Sequence, residues 1–428
     1  MTPRIEVPAA ARWVVEKLEG AGFETWTVGG GVRDALLGAK SVDWDFATAA
    51  RPRDVQRVFR RTVPVGIEHG TVGVLDEWDV LHEVTTFRKD VETDGRHAVV
   101  TFADRIEDDL ARRDFTINAV AWHPIREELL DPFGGEIDLG ERRLRTVGEP
   151  SERFAEDYLR ILRGLRFAGR FGMTVDPRTW DALVAAMDGL GGLSAERIRE
   201  EWVKLMGTPD PAIGLGLYRD SGALARVAPA FTDASPTAWE AGVQTTTLLP
   251  AADPVLRTVA LFETALAHIR PTLARGVATW MQGLRFSNAD ADRAVHLLAT
   301  PAGLPAADAP AADIRRWLAA VEPDRAPDRF ALVEASISAG QADADTPDRL
   351  RAAREMLAEA PPLRVGDLAI GGRDLIRLGL KPGPRFGELL DALLDRVLDD
   401  PSLNTRDALV AEATRRTDAG HDATAEDA

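Results

Sequence analysis

Residues 23–46 read Phe-Glu-Thr-Trp-Thr-Val-Gly-Gly-Gly-Val-Arg-Asp-Ala-Leu-Leu-Gly-Ala-Lys-Ser-Val-Asp-Trp-Asp-Phe. Phe23 to Val28 alternates with period two and runs into Gly29-Gly30-Gly31, which predicts a strand entering a tight turn. Val32 to Leu37 then reads as a short helix closed by Gly38. Val42 to Ala47 is a second strand. Further strand candidates follow at Gly73-Val74-Leu75, Val80 to Thr86 and Val99 to Phe102. Strands interleaved with a helix make the chain to about Val147 an α/β or α+β unit.

From Ser151 onward the strand signals nearly vanish, and Ala, Leu, Arg and Glu recur at helical spacing. Asp176-Pro177 and Thr208 to Pro211 punctuate this region, Pro301 to Asp313 is an Ala/Pro/Asp-rich connector, and Pro361-Pro362 opens a last helical unit. Arg416 to Ala428 is small, polar and acidic, and is expected to be disordered. No internal repeat stands out.

A chain of 428 residues exceeds what one small core covers, so two to four compact units are expected. No stretch approaches the roughly 18 apolar residues of a membrane span, and Met1 to Arg12 lacks a signal-peptide core. There is no Cys, hence no disulfide, Cys–Zn site or thiol nucleophile. The chain reads as cytoplasmic, without a membrane partner. Its net charge of −17 speaks at face value against nucleic acid. Yet Leu159 to Arg170 carries four Arg and no acid, so a local basic groove on an acidic body is expected.

In Asp43-Trp44-Asp45-Phe46, strand geometry sends both carboxylates to one side while Trp44 and Phe46 enter the core. Two like charges side by side are costly unless a cation lies between them. Mg²⁺ coordinated by such a pair and by nucleotide phosphates suits an in-line, two-metal displacement. The bland reading is a strand edge that happens to bear two acids. The glycine turn upstream could cradle a triphosphate on backbone amides with Arg33 alongside, or could simply join strand to helix. It is not a dinucleotide fingerprint, because Asp34 stands where the third Gly belongs. Nor is it a Walker A loop, because Ala39 separates Gly38 from Lys40-Ser41.

Arg112-Arg113-Asp114-Phe115-Thr116-Ile117-Asn118 offers forked donors for phosphate and an acceptor for ribose, or else a surface ion-pair cluster. Asp131 to Leu139 reads as a turn that packs the end of this domain. In Glu156 to Phe167, helical spacing puts Phe154, Tyr158, Ile161 and Leu165 on a core stripe and Asp157, Arg160, Arg163, Arg166 and Arg170 opposite. That second face is either solvated, with Asp157 and Arg160 as an i,i+3 pair, or it meets an anion that relieves the Arg repulsion. The seven His offer no ligand cluster, and the ten Trp are expected in the core.

Taken in order and spacing, these motifs resemble the class II tRNA nucleotidyltransferase and poly(A) polymerase family. Its parts fall at Gly29 to Gly38, Asp43 to Thr48, Arg112 to Asn118, Asp131 to Leu139, Glu156 to Phe167 and Leu193 to Lys204, and more weakly at Ile370 to Gly387 and Asn404. The resemblance implies a nucleotidyltransferase head with a mixed or antiparallel sheet (1–147). All-α units would follow: a base-recognising neck (148–207), a body (208–360) and a tRNA-binding tail (361–415), ahead of the end expected from its composition to be disordered (416–428). It implies Asp43 and Asp45 as Mg²⁺ ligands, Gly30 and Arg33 on the phosphates, and Arg113 with Asp114 on the sugar-phosphate. Asp157 and Arg160 would present an edge to the incoming base, supported by Arg163 and Arg166. A flexible loop is implied at Arg88 to His97. Pro64-Val65-Gly66 followed by His69-Gly70-Thr71-Val72 looks like the CCA-adding branch.

The expected activity is template-independent addition of CCA, from CTP and ATP, to the 3′ end of tRNA. Alternatives within the same chemistry are a poly(A) polymerase or an enzyme adding only CC or only A. From another class, the alternative is a non-catalytic RNA-binding protein that kept the fold.

Overall fold

The computed structural model of the chain describes residues 5–39, 43–93 and 98–425. By packing, these separate into two compact units, Met1–Thr232 and Asp233–Ala428.

In the first unit, β1 (Thr25–Val28) and β2 (Asp45–Thr48) pair antiparallel at the middle of a sheet completed by β3 (Thr62–Pro64), β4 (Thr71–Leu75), β5 (Leu81–Thr86), β8 (Ala121–His123) and β9 (Glu128–Leu130). The order is β3-β4-β5-β2-β1-β8-β9, and β2 with β5 is the one parallel pair, so the sheet is mixed. A separate antiparallel ribbon joins β6 (Arg88–Thr93) to β7 (Ala98–Phe102), with an irregularity between Asp90 and Glu92. The loop expected at Arg88 to His97 is therefore strand as far as Thr93, and 94–97 lie outside the described residues.

Both faces of the sheet are covered. Helix α1 (Ala9–Gly20), α2 (Gly30–Leu36) and α3 (Pro52–Val58) send Val14, Leu18, Val32 and Val55 against Trp44, Phe46 and Val84. Across the sheet, Trp26 and Val28 pack on Ile106 and Leu110 of α4 (Ile106–Ala111). β1 is thus buried along its whole length, polar residues included. Its hydroxyls stay satisfied because Thr27 donates to the Trp122 carbonyl at 2.7 Å and Thr25 pairs with Thr48 at 2.8 Å.

α5 (Gly135–Gly140) closes the sheet domain, with the Asp131 carboxylate accepting from the Gly135 and Glu136 amides, as a packing turn should. Next come α6 (Pro150–Glu156), α7 (Leu159–Phe171), α8 (Pro177–Ala185), α9 (Ala195–Met206) and α10 (Ala212–Asp220). The continuous helical stripe expected from Phe154 onward is interrupted. Asp157 has φ −156° and ψ 105°, and its carboxylate accepts from the Leu159 amide at 3.0 Å, starting α7 afresh. Phe154, Ile161 and Leu165 are buried as expected, but Tyr158 leaves the stripe and lies where any side chain on Gly189 would collide with its ring.

The second unit has no strand among its described residues. One core gathers Trp317, Leu318, Phe330 and Leu350, and another gathers Leu375, Leu393, Val397 and Leu409. The segment from Arg416 expected to be disordered is instead helix as far as Ala425, within Arg406–Ala425. Its start is supported by Arg416 donating to Glu412 one turn earlier at 2.8 Å. Trp78 breaks the expectation of core tryptophans, being 66% exposed. No described helix is long and apolar enough to cross a membrane.

Candidate active site

A polar cleft of about 540 Å³ opens where the end of β1, the start of α2, β5, the Arg112–Asn118 segment and α7 converge. Gly30, Arg33, Asp45, Arg113, Asp114, Asp157, Arg160 and Arg163, from distant parts of the chain, all line it. Of the acids and Arg singled out in the carboxylate strand and the α7 face, Asp43, Arg166 and Arg170 are not among its lining. Asp43 is exposed just before β2, and Arg166 points away toward α9.

Asp45 begins β2 half-buried, with Trp44 and Phe46 on either side in the core. Burial raises its carboxyl, the charge of Asp43 raises it further and Arg113 opposes them, which leaves it at about 6. Glu83 adds to the rise. It sits on β5 immediately before Val84, the neighbour of Phe46 in the parallel pair, and it lines the cleft. Among the described residues no group of three or more metal-ligating side chains occurs. Two carboxylates suffice for Mg²⁺, which keeps water and phosphate oxygens in its remaining positions. A carboxylate raised toward neutral pH by burial and by a like-charged neighbour is the donor chemistry that a divalent cation relieves.

The glycine turn is shaped by close approach. Gly29 has φ +73°, and a Cβ there would lie 2.9 Å from Arg113 Nη1. A Cβ on Gly31 would lie 2.8 Å from the Asp43 carbonyl and 3.1 Å from the Trp44 ring. These two glycines let the turn press against both the carboxylate strand and the Arg113 segment. Gly30 has room around it. Arg33, only 5% exposed, donates to Asn118 Oδ1 at 2.7 Å and to Asp34 at 2.8 Å, and lies 4.7 Å from the Phe171 ring centre. Burial lowers its pKa, with Asp34 opposing.

Asn118 is a hub that motif reading passed over. It receives the bond from Arg33 and donates through Nδ2 to Asp114 at 2.9 Å. Burial would raise the Asp114 carboxyl, but the Arg163 charge and the bonds from Asn118, Arg163 and the Phe115 amide hold it at about 2. Asp109, also unforeseen, is 1% exposed and takes bonds from Arg112 at 3.0 Å and Arg113 at 3.2 Å. Burial works against its ionisation, and the two Arg outweigh it.

Three Arg of the α7 face, Arg160, Arg163 and Arg166, are held by carboxylates. Arg160 pairs with Glu156, Arg163 with Asp114 at 2.7 Å, and Arg166 with the fully buried Glu201 of α9 at 2.6 Å. Asp157 does not pair with Arg160. Its second oxygen accepts from Arg197 of α9 at 2.6 Å. Arg160 turns to Glu156 and to the carbonyls of Arg153 at 2.9 Å and Arg112 at 3.2 Å. The two residues still share the cleft wall, each fixed from behind, with Arg160 retaining N–H groups beyond those three contacts.

Residues 25–145 match the model of the poly(A) polymerase head domain. Residues 172–235 match an RNA- and SrmB-binding segment of polymerase A, and 351–413 a second tRNA nucleotidyltransferase domain. The chain is 33% identical to the CCA-adding enzyme of Levilactobacillus brevis, over 94% of this chain and 97% of that one. It is 34% identical to the CCA-adding enzyme of Lactiplantibacillus plantarum, over 94% of each. Its fold superposes on the Bacillus stearothermophilus CCA-adding enzyme in complex with CTP with a TM-score of 0.75. That match has 31% identity and covers 96% of this chain and 98% of that structure.

Proposed function

The chain belongs to the CCA-adding family of tRNA nucleotidyltransferases, and on that premise we propose that it extends tRNA 3′ ends with CCA from CTP and ATP, with no nucleic-acid template. One observation carries the reading to the residues: Asp45, raised to about 6, opens into the same cleft as Asp157 and Arg160. Transfer chemistry and a protein-borne reader of the base therefore share one space.

On this reading Asp43 and Asp45 hold divalent metal, Mg²⁺ in the cell. When bound, the metal neutralises phosphate charge and favours the deprotonated primer hydroxyl. Backbone at Gly30 and the cation of Arg33 face the triphosphate. Arg113 and Asp114 face its sugar-phosphate end, where Arg112 and Arg113 are aimed by Asp109. Asp157 and Arg160 offer an acceptor and donors to the base edge, with Arg163 and Arg166 bracing their helix through Asp114 and Glu201. Catalysis then comes from positioning and charge, since no protein group need form a covalent bond. Residues 1–147 act as head, 148–207 as neck, 208–360 as body and 361–415 as a tRNA-binding tail, and the enzyme works in the cytoplasm.

The deciding experiment supplies a tRNA ending at the discriminator base with CTP and ATP, and sequences the 3′ ends. Addition of CCA followed by arrest is expected. A product ending at CC, growth only from CC ends, or a long A tract would replace this reading with one of the related activities.

A further inference from the structure

Further along α7, a second hollow of about 580 Å³ is lined by Arg166 and Arg170, with Lys204, Gly207, Thr208 and Pro209 at the end of α9. Arg160, Arg163 and Phe167 line the nucleotide cleft, and Arg166 and Arg170, four residues apart on the same Arg-bearing side of α7, line the hollow.

Three cations face this hollow. Arg166 is committed through its 2.6 Å bond to buried Glu201, while Arg170 rests 5.0 Å from the Phe171 ring centre. Arg170 stands 3.8 Å from Asp34 and Lys204 stands 3.7 Å from Glu201, both beyond hydrogen-bond distance. Their side chains are 42% and 53% exposed. The Thr208 hydroxyl is turned inward to the Leu205 carbonyl at 2.7 Å, and the Gly207 and Thr208 amides are bonded within α9. The groups left to meet a ligand are thus the two loosely held cations.

The walls are fixed. A Cβ on Gly169 would lie 2.5 Å from Gly214 Cα, and one on Gly214 would lie 2.4 Å from Leu205 Cδ1, so α7, α9 and α10 are locked at their closest approach. Arg170 and Lys204 thus stand on fixed walls, each with its carboxylate partner only at the edge of contact. A chain of net charge −17 gains from such a patch only where an anionic partner must dock in one orientation.

Resting on the function proposed above, we infer that Arg170 and Lys204 form a clamp for the phosphodiester backbone of the RNA near its 3′ end. The clamp lies further along the helix that reads the incoming base, toward its C-terminal end. It fixes the primer strand relative to α7 while leaving the nucleotide wall free. Such a contact is sequence-blind, which is what a strand that gains three nucleotides during the reaction requires.

The test measures binding of a tRNA transcript, without nucleotide, by fluorescence anisotropy across a salt series for Arg170→Ala, Lys204→Ala and the double variant. About tenfold weaker binding is expected for the double variant, with the slope of log Kd against log salt shallower by roughly one per lost contact. Arg170→Lys and Lys204→Arg should retain most of the affinity. The KM for CTP should stay unchanged in each variant while the KM for tRNA rises. Unchanged tRNA binding with an unaltered salt slope overturns the clamp, as does a rise confined to the CTP KM, which would assign the hollow to the triphosphate. Binding is read without turnover, so failure of CCA addition in the unsubstituted protein would sink the activity and leave the clamp to be judged by its own result.

Discussion

The carboxylate of Asp157 accepts a 2.6 Å hydrogen bond from the guanidinium of Arg197, and no such bond from Arg160 three residues away. α9 therefore sets the direction in which the break between α6 and α7 presents Asp157 to the cleft. Arg197 touches neither the carboxylate pair nor the phosphate turn, so its influence must pass through Asp157.

Replacing Asp157 or Arg160 with Ala should blur discrimination among CTP, ATP, GTP and UTP more than it weakens triphosphate binding. Arg197→Ala should blur it in the same direction but less, and Arg197→Lys should recover part of it. Single-nucleotide incorporation from each triphosphate checks this, with kcat and KM separated. Unaltered selectivity in Arg197→Ala would leave Arg197 a purely structural partner.

Asp114 is nearly buried, and its partners are Arg163 and Asn118. Asp114→Asn strands the Arg163 guanidinium, and breaking a buried pair this way costs on the order of 3 kcal/mol. Urea unfolding at neutral pH measures it. The pH dependence has a definite sign. The folded carboxyl at about 2 lies below its ordinary value of 3.8, so its stabilisation is present above 3.8 and fades as pH falls toward 2. The Asn variant should lack that component of acid sensitivity, which acid titration of both proteins will show.

Gly29→Ala and Gly31→Ala should fail for different reasons. At Gly29 the residue must hold φ +73° and also give way to Arg113, so backbone strain of about 1 kcal/mol adds to a displaced guanidinium. At Gly31 the methyl meets the Asp43 carbonyl, which moves the carboxylate strand itself. Melting curves should fall in both, and nucleotide transfer should drop further than the melting loss accounts for. Wild-type turnover in Gly31→Ala would show that the strand adjusts without consequence.

The β1-turn-α2 unit and the carboxylate strand were legible because each carries a pattern within a few residues: period-two alternation, a glycine run, and acids alternating with Trp44 and Phe46. Strands β3, β8 and β9 are three residues each, too short to show a period, and β8 is buried throughout. The break at Asp157 was hidden because Phe154, Ile161 and Leu165 stay in phase across it and remain buried. The Arg face of α7 misled for a related reason. The acids that neutralise Arg163 and Arg166 lie 49 and 35 residues away, and spacing rules see only i,i+3 and i,i+4 neighbours. Glu201 sat inside a recognised motif and Asn118 closed another, yet nothing in either motif says which side chain the fold will place against them.

Asp45 gives a prediction that separates the metal from the fold. Its carboxyl rests at about 6 in the folded protein against an ordinary 3.8, so the folded state holds its proton more tightly than the unfolded one. In metal-free protein this group's contribution to stability therefore declines as pH rises from 3.8 through about 6, and then levels off. A divalent cation binds the ionised form, so the rise in melting temperature on adding Mg²⁺ should be small at pH 5 and larger at pH 7. Asp45→Asn should lose that pH-dependent rise and be no less stable than the unsubstituted protein in metal-free buffer at pH 7. Asp43→Asn should bring the remaining carboxyl back toward its ordinary value, since the like charge is gone. Both variants should be inactive in transfer while keeping their fold by circular dichroism. An equal Mg²⁺ shift at both pH values, or near-normal transfer in either variant, would remove the pair from the metal site.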